Sequence, residues 1–544
     1  MKDIYDVVQI GYGPVSQSLA LMLGRQNRSV AVCERWATRY ALPRAVCVDH
    51  ELFRVLHANG MGAVLPSITH GGPRYQWFNA DWQELLVIDW AAASISGGPE
   101  VNFVHQPTLE EALDREVAGL PGVDLRFGWE VVAVEQDEAL AHVTARNTAT
   151  GAEERLSARY VVGCDGANSL VRQAIGGALE DRGFEADWLV VDVRLRPGVT
   201  IERLGIPAAG QYCNPLRPTT IVPAGVRDGQ VFRRWEFMRL PGEAVAALED
   251  EARVWELLRP WAGPGDVELV RHKVYNFRSL LAERWRDRRL LIAGDAAHVM
   301  PPFMGQGMCS GMRDAWNLAW KLRLVLDGAA DDRLLDTYQA ERAPHVSQLI
   351  DMSIFLGRII CIPDADEAAA RDREFLGGTA AKPPPFPHLT DGLLHRGPGG
   401  RVEAGAGLLS PHVTVEHRGG VSRWDELVGG AGGFVVVGRG FDPGAALPGE
   451  VRAALAGAGL RCVALGAGPD AVRDRDGRLD AFMAGHGWAA MIVRPDFYVY
   501  GGAVDAHALC RLAADLVRDL SLAGLRSAGP SGRTPGRLQE ASAA

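Results

Sequence analysis

Short runs of apolar residues that end abruptly at glycine or aspartate dominate the first 300 positions. Tyr5-Asp-Val-Val-Gln-Ile10 predicts a buried parallel strand that stops at Gly11-Tyr-Gly13-Pro14-Val15-Ser16. A helical stretch from Val15 to Arg25 and a second strand, Ser29-Val-Ala-Val-Cys-Glu34, complete one βαβ unit. Two later strands, Arg159-Tyr-Val-Val-Gly-Cys-Asp165-Gly166 and Arg289-Leu-Leu-Ile-Ala-Gly294-Asp295, end the same way. Three such strands, far apart in the chain, suit one parallel sheet whose carboxyl ends meet at a ligand. Strict alternation takes over in Trp188-Leu-Val-Val-Asp-Val-Arg-Leu and Phe232-Arg-Arg-Trp-Glu-Phe-Met-Arg. Residues 73–100 and 186–275 are therefore expected to form a more antiparallel sheet. Apolar positions at Ala315, Ala319, Leu322 and Leu326 mark a helix.

Beyond residue 378 the pattern changes. Thr379 to Arg401 carries five prolines and four glycines and reads as a linker or extended arm. A compact α/β pattern then returns, with strand-like runs at Gly433–Gly438, Arg461–Gly466 and Trp488–Arg494 and a terminal helix from about Ala503 to Leu522. The Gly/Ser/Pro-rich end is expected to be disordered.

Composition narrows the function classes. Across 544 residues the formal net charge is −10, which argues against a nucleic-acid backbone or an anionic membrane as partner. The longest uncharged run, Val55 to Pro73, is broken by four glycines and Pro66 and predicts no spanning helix. No apolar leader precedes the first strand, and the eight scattered cysteines include no CxxC pair. A metal site is not expected, the thiols are read as mostly buried, and the chain is expected to be soluble and cytoplasmic. A homodimer is one expectation for such an enzyme.

The first glycine turn lets backbone amides approach a pyrophosphate: Gly11 permits the turn, and Gly13 opens the helix start at Pro14 and Val15. Glu34, 23 residues after Gly11, sits at the spacing of a ribose contact, whereas Ser16 replaces the third glycine. The second element is more specific. Gly294-Asp295-Ala-Ala-His298 precedes Pro301-Pro302-Phe-Met-Gly305-Gln306-Gly307-Met308. Asp295 is a candidate acceptor for polyol hydroxyls, and the Gly305–Met308 turn exposes amides at a helix start, suited to a heterocycle that gains negative charge on reduction.

These residues resemble the class A flavoprotein aromatic hydroxylases, the family of para-hydroxybenzoate and phenol hydroxylases. Gly294–His298 matches the second FAD motif of that family, and Gly163-Cys-Asp165-Gly166 through Arg172 matches its DG motif. Leu42-Pro43-Arg44-Ala45 and His105-Gln106-Pro107 also fit, and the resemblance implies FAD contacts at Arg44 and Gln106. The match runs to about residue 350. It is nearest to 3-(3-hydroxyphenyl)propionate hydroxylases, through Gln211-Tyr212-Cys213, Pro301-Pro302-Phe and Gly305–Leu322. Arg494-Pro-Asp-Phe-Tyr-Val-Tyr-Gly501 looks like the thioredoxin-like C-terminal portion of larger members.

The resemblance implies an α/β fold: a Rossmann-like FAD-binding domain (1–72, 101–185 and 276–378), with an inserted, mostly antiparallel substrate domain (73–100 and 186–275). A linker (379–401), a thioredoxin-like domain (402–524) and a disordered tail (525–544) would follow. It also implies NADH or NADPH as reductant, with Arg35 and Arg39 as candidates for a 2′-phosphate, and O₂ as co-substrate. The small aromatic substrate would be a phenol, hydroxylated through a flavin C4a-hydroperoxide behind a wall formed by Pro301 and Pro302. Tyr212 and Gln211 are the first candidates for activating the phenol, and Arg217, Arg233 or Arg234 for holding an acidic group. Trp77, Trp82, Trp90 and Trp235 are candidates for an aromatic lining. His298 is read as structural. Two alternatives stay open: Baeyer–Villiger or epoxidising chemistry on a polyketide-like substrate, and a non-catalytic flavin-binding protein.

Overall fold

The structure, a computed structural model, describes residues 4–72, 74–466 and 470–520. The tail expected to be disordered lies outside them. The three glycine-terminated strands pair as expected. Tyr5–Ile10 runs parallel to both Val30–Glu34 and Glu153–Gly163, and the latter runs parallel to Leu290–Ile292. Ile10 is level with Cys33 and with Gly163, and Gly163 with Ile292, so the turns that follow meet at one edge. Gly11 is obligatory there: its φ is +89°, and a Cβ would lie 2.5 Å from the carbonyl oxygen of Cys164.

Eight strands form the second sheet. Leu179–Leu195 lies between Val267–Ala282 and Gln230–Met238, all antiparallel, and Thr219–Arg227 and Gly210–Tyr212 follow. Arg74–Phe78 joins parallel to Gly210–Tyr212 and carries Glu84–Asp89 at the edge. The sheet is seated on the first unit at Gly225, where a Cβ would fall 1.9 Å from the His105 backbone nitrogen. One face of this sheet packs Leu189, Val191, Ile221, Trp235 and Phe237 against Val254 and Leu258. The other face looks toward the glycine turns.

The helix marked by Ala315, Ala319, Leu322 and Leu326 runs from Gly307 to Leu326. In the C-terminal unit the strand order is Arg461–Leu465, Val435–Arg439, Ala490–Val493, Val499–Ala503, the first pair parallel and the rest antiparallel. The arm at 379–401 has no helix or long strand, yet buries Leu389, Leu393 and Leu394. The C-terminal unit is not a loose appendage. Phe434, Ile492, Tyr500 and Leu516 belong to the same continuous core as Val7, Val161 and Trp320. All eight cysteines are unpaired, three fully buried and five half-buried. No single helix among the described residues is long and apolar enough to cross a membrane.

Candidate active site

A cavity of about 430 Å³ lies between the edge of the first sheet and the open face of the second. On one side it meets two helix starts, at Gly13–Ser16 and at Gly305–Met308. Neither helix has a side-chain cap on its first turn. Each therefore presents unclaimed N–H groups and the positive end of its dipole. A Cβ on Gly13 would have no neighbour closer than 3.9 Å, and one on Gly307 none closer than 3.8 Å, so the backbone is bare on the cavity side. Asp295, Arg44 and Gln106 complete this wall. Gln106 Oε1 accepts the amides of Arg44, at 2.9 Å, and Ala45, which holds the Arg44 loop over the cavity. Two uncapped helix starts joined by a carboxylate fit the chemistry of FAD: such a wall would hold a diphosphate at Gly13–Ser16, polyol hydroxyls at Asp295 and a ring edge that gains negative charge at Gly307 and Met308.

The opposite wall is polar and largely self-satisfied. Buried Asp192 receives Arg234 Nε at 2.7 Å and Arg271 Nη2 at 2.7 Å. Arg234 spends its remaining donors on the carbonyls of Arg44 and Pro43, at 2.5 and 3.1 Å, and Arg271 Nη1 donates to Tyr275 Oη at 2.9 Å. Gln211 donates to Tyr75 Oη at 2.7 Å and accepts from Thr220 Oγ1 at 2.7 Å, while the Tyr75 ring stacks on Trp90 at 4.6 Å. Glu236 is different. Among the described residues its carboxylate has no hydrogen-bond partner, and its nearest cation, Arg234 Nη1, is 3.8 Å away. Burial pushes its carboxyl up, against the pull of Arg234.

Residues 4–353 match the family model described as "FAD binding domain", and residues 405–519 match "HcaD C-terminal domain". The chain belongs to the class A FAD-dependent aromatic hydroxylases. It is 38% identical over 539 residues to a "Probable NADH-specific resorcinol 4-hydroxylase" of Rhodococcus jostii (strain RHA1), covering 97% of each chain. A "3-(3-hydroxy-phenyl)propionate/3-hydroxycinnamic acid hydroxylase" of Escherichia coli (strain K12) is 33% identical over 532 residues, with 91% of each covered. The fold superposes on an aklavinone-11 hydroxylase solved with FAD and aklavinone, with a TM-score of 0.78 at 23% identity over 96% of this chain and all of that one.

The protein is thus an FAD-dependent monooxygenase that hydroxylates an aromatic ring and draws on a nicotinamide reductant. Of the residues singled out from sequence, Gly13, Pro14, Val15, Arg44, Gln106, Gln211, Asp295, Pro302 and Gly305–Met308 all line the hydroxylase cavity. Gly11 and Gly294 shape it from behind; a Cβ on Gly294 would press on Val15 at 3.0 Å. Glu34 uses its carboxylate on the amides of Tyr12 and Trp36, both at 2.9 Å, and Arg35 is exposed over the Trp36 ring. Asp165 caps the helix Leu170–Ile175 through Oδ2, at 2.7 Å from Leu170 N, leaving Oδ1 buried and unpartnered. Pro301 stands outside the lining, its carbonyl accepting from Ser353 at 2.7 Å. His298 is buried against Asp314, 2.7 Å from Nε2.

Besides Pro301, several substrate-side candidates from the sequence lie off the cavity. Tyr212 follows Gln211 on one strand and so points to the opposite face, where its hydroxyl donates to the Ala80 carbonyl at 3.0 Å. Arg233 and Trp235 sit on that same rear face. Arg233 donates to the carbonyls of Ala208 and Pro207, and Trp235 is fully buried in the rear core. Arg217 is paired with Glu243 at 2.5 Å, away from the cavity. Of the four tryptophans only Trp90 lines it. The residues missed were Glu236, Thr220, Tyr75 and Arg271. The readable signal was alternation: once Arg234 is assigned to the cavity, Glu236 must follow.

Proposed function

We propose that this hydroxylase acts on a small, uncharged phenol of the dihydroxybenzene type, with NADH as reductant. The observation that carries this reading is a polar wall whose two cations already share the carboxylate of Asp192. Both guanidiniums on it are already paired with Asp192, and they donate as well to backbone carbonyls and to Tyr275. A substrate carboxylate there would compete with Asp192 for these cations and would face Glu236 as well, a desolvation cost without a dedicated pair. A phenolic hydroxyl, by contrast, suits Glu236 as acceptor, and a second hydroxyl suits the Gln211–Thr220–Tyr75 group. The cavity volume of about 430 Å³ must hold both the flavin ring and the substrate, which favours a single ring over a polyketide skeleton.

Bound FAD, reduced by the nicotinamide, supplies the activated oxygen. Glu236 takes the phenolic proton and so enriches the ring carbon beside it. Pro302 offers the reacting face a wall without an N–H donor. The amides at Gly307 and Met308 stabilise negative charge at the ring edge. Arg39 is engaged by Asp114 at 3.1 Å, which leaves Arg35 alone for a 2′-phosphate and supports NADH, as does the name of the 38%-identical relative. The thioredoxin-like reading of the C-terminal unit is supported by its strand order.

The test is NADH and NADPH oxidation with resorcinol, phenol and 3-(3-hydroxyphenyl)propionate, with product mass measured. Resorcinol should gain one oxygen, coupled to NADH use. A higher kcat/KM for the propionate would overturn the uncharged-substrate reading.

A further inference from the structure

The loop between the last two strands of the C-terminal unit, Arg494-Pro-Asp-Phe-Tyr498, is driven into the flavin unit. Arg494 is fully buried and donates to Glu341 at 3.0 and 2.6 Å and to Asp496 at 3.0 and 2.6 Å. Glu341 also receives Lys321 at 2.8 Å, and Asp496 receives Asn317 at 3.0 Å and Trp320 at 3.1 Å, so the loop is tied to the long helix Gly307–Leu326. Phe497, at its tip, holds a left-handed φ of +70° and stacks on Arg54 at 4.1 Å. Such a conformation in an aromatic residue persists only where its surroundings over-determine it.

The next residue reaches furthest. Tyr498 Oη donates to Glu51 Oε1 at 2.8 Å; Glu51 Oε2 accepts from Arg313 Nε at 2.5 Å. Arg313 also binds Asp49 and, through Nη1, donates to Gln306 Oε1 at 2.9 Å. Gln306 sits at the start of the long helix and lines the cavity. Its amide nitrogen has no protein partner among the described residues. The relay Tyr498–Glu51–Arg313–Gln306 is buried throughout. Glu51 and Asp49 together outnumber the single Arg313 cation. A hydroxyl donating to Glu51 offsets that excess and leaves one Arg313 nitrogen for Gln306.

We propose that Tyr498 is a positioning residue for bound FAD: through Glu51 and Arg313 it fixes the Gln306 carboxamide, and the C-terminal unit thereby completes the flavin site. The proposal rests on FAD occupying the cavity. Colourless wild-type protein would strike at that reading and not at the relay.

The experiment compares two tyrosines of one strand region. Tyr498→Phe keeps the ring and removes the hydroxyl. Tyr500→Phe does the same to a buried hydroxyl that donates to Asp519 at 2.6 Å, away from the cavity. FAD dissociation is followed by flavin fluorescence on dilution of each holoenzyme, and the visible spectrum of bound flavin is recorded. Tyr498→Phe should raise the FAD Kd about tenfold, the scale of one hydrogen bond to a charged group, and move the flavin absorption band. Tyr500→Phe should lower thermal stability alone. In combination with Gln306→Leu, Tyr498→Phe should add nothing further. Should Tyr498→Phe not accumulate, Glu51→Gln breaks the same relay and should give both shifts. The proposal is overturned if Tyr498→Phe and Tyr500→Phe affect FAD alike, if the broken relay leaves Kd and spectrum unmoved, or if the Gln306 and Tyr498 effects simply add.

Discussion

On the strand Gln230–Met238, Arg234 and Glu236 face the cavity, while Arg233 and Trp235 alternate to the other face, where Trp235 packs against the helix Glu251–Leu258 and Arg233 reaches the carbonyls of Pro207 and Ala208. All four are buried, and two adjacent arginines have opposite surroundings. Arg234 meets a carboxylate; Arg233 meets only backbone carbonyls. Burial without a counter-charge pulls the Arg233 guanidinium down to about 10, while Asp192 holds Arg234 above the ordinary arginine value despite equal burial. Residue type therefore says little about role here. The face decides it, and a shift of one residue exchanges a cavity wall for a packed core.

The largest effect should come from the two arginines. Arg234→Met leaves Asp192 with half its partners and releases the Arg44 loop, and should cost about 3–5 kcal/mol. Arg233→Met removes a desolvated cation along with two carbonyl contacts and should cost no more than about 1–2 kcal/mol. Chemical-denaturation midpoints of the two variants test the contrast, which equal costs would break.

Next is Glu236. Glu236→Gln should lower kcat about a hundredfold, or about 2.7 kcal/mol of barrier, with FAD content unchanged. Stopped-flow traces should place the loss after flavin reduction. A kcat within threefold of wild type would remove Glu236 from the chemistry and leave the cavity face merely polar.

These contrasts also show what the linear sequence conveys. The glycine turns at Gly11–Gly13 and Gly305–Met308 were legible because what they contribute lies in backbone geometry. A positive φ or a bare amide at a helix start is written locally, in glycine and proline. Gln211 and Arg234 were within reach, but the sheet face was not. Alternation separates the faces of a strand only when one of them meets water, and from Phe232 to Phe237 both are buried. The relay from Tyr498 was unreadable for another reason: its partners Glu51 and Arg313 are separated from it by 447 and 185 positions, and nothing local marks them.

Acidity offers a smaller, sharper test of the same face. Glu236 has its folded pKa raised by burial, so its contribution to stability is fully present below the usual carboxylate range and is lost as pH rises through the raised value. Glu236→Gln abolishes that loss. The stability of the variant relative to wild type should therefore grow from acid toward neutral pH, by about 1.4 kcal/mol for each unit the carboxyl is raised. Thermal midpoints across that range would show it, and parallel profiles would mean that Glu236 is solvated. Turnover should move the other way in the wild type, falling as acid protonates the acceptor.

The smallest expected effect concerns the residue the sequence favoured most. Tyr212 stacks on Trp82 at 4.6 Å and meets Trp261 edge-on at 5.3 Å, contacts that phenylalanine keeps. Its hydroxyl has a half-exposed bond to the Ala80 carbonyl and a weaker one from Asn214 at 3.2 Å. Water replaces both readily, so Tyr212→Phe should cost about 0.5–1 kcal/mol and leave kcat within about twofold. Gln211→Leu, one position earlier, removes the amide between Tyr75 and Thr220 and should raise KM several-fold at unchanged FAD content. If Tyr212→Phe instead slowed oxygen transfer while Gln211→Leu did not, the strand would present its other face to the substrate, and the assignment of Glu236 would fall with it, because both rest on the same register between Gln211, Thr220 and Glu236.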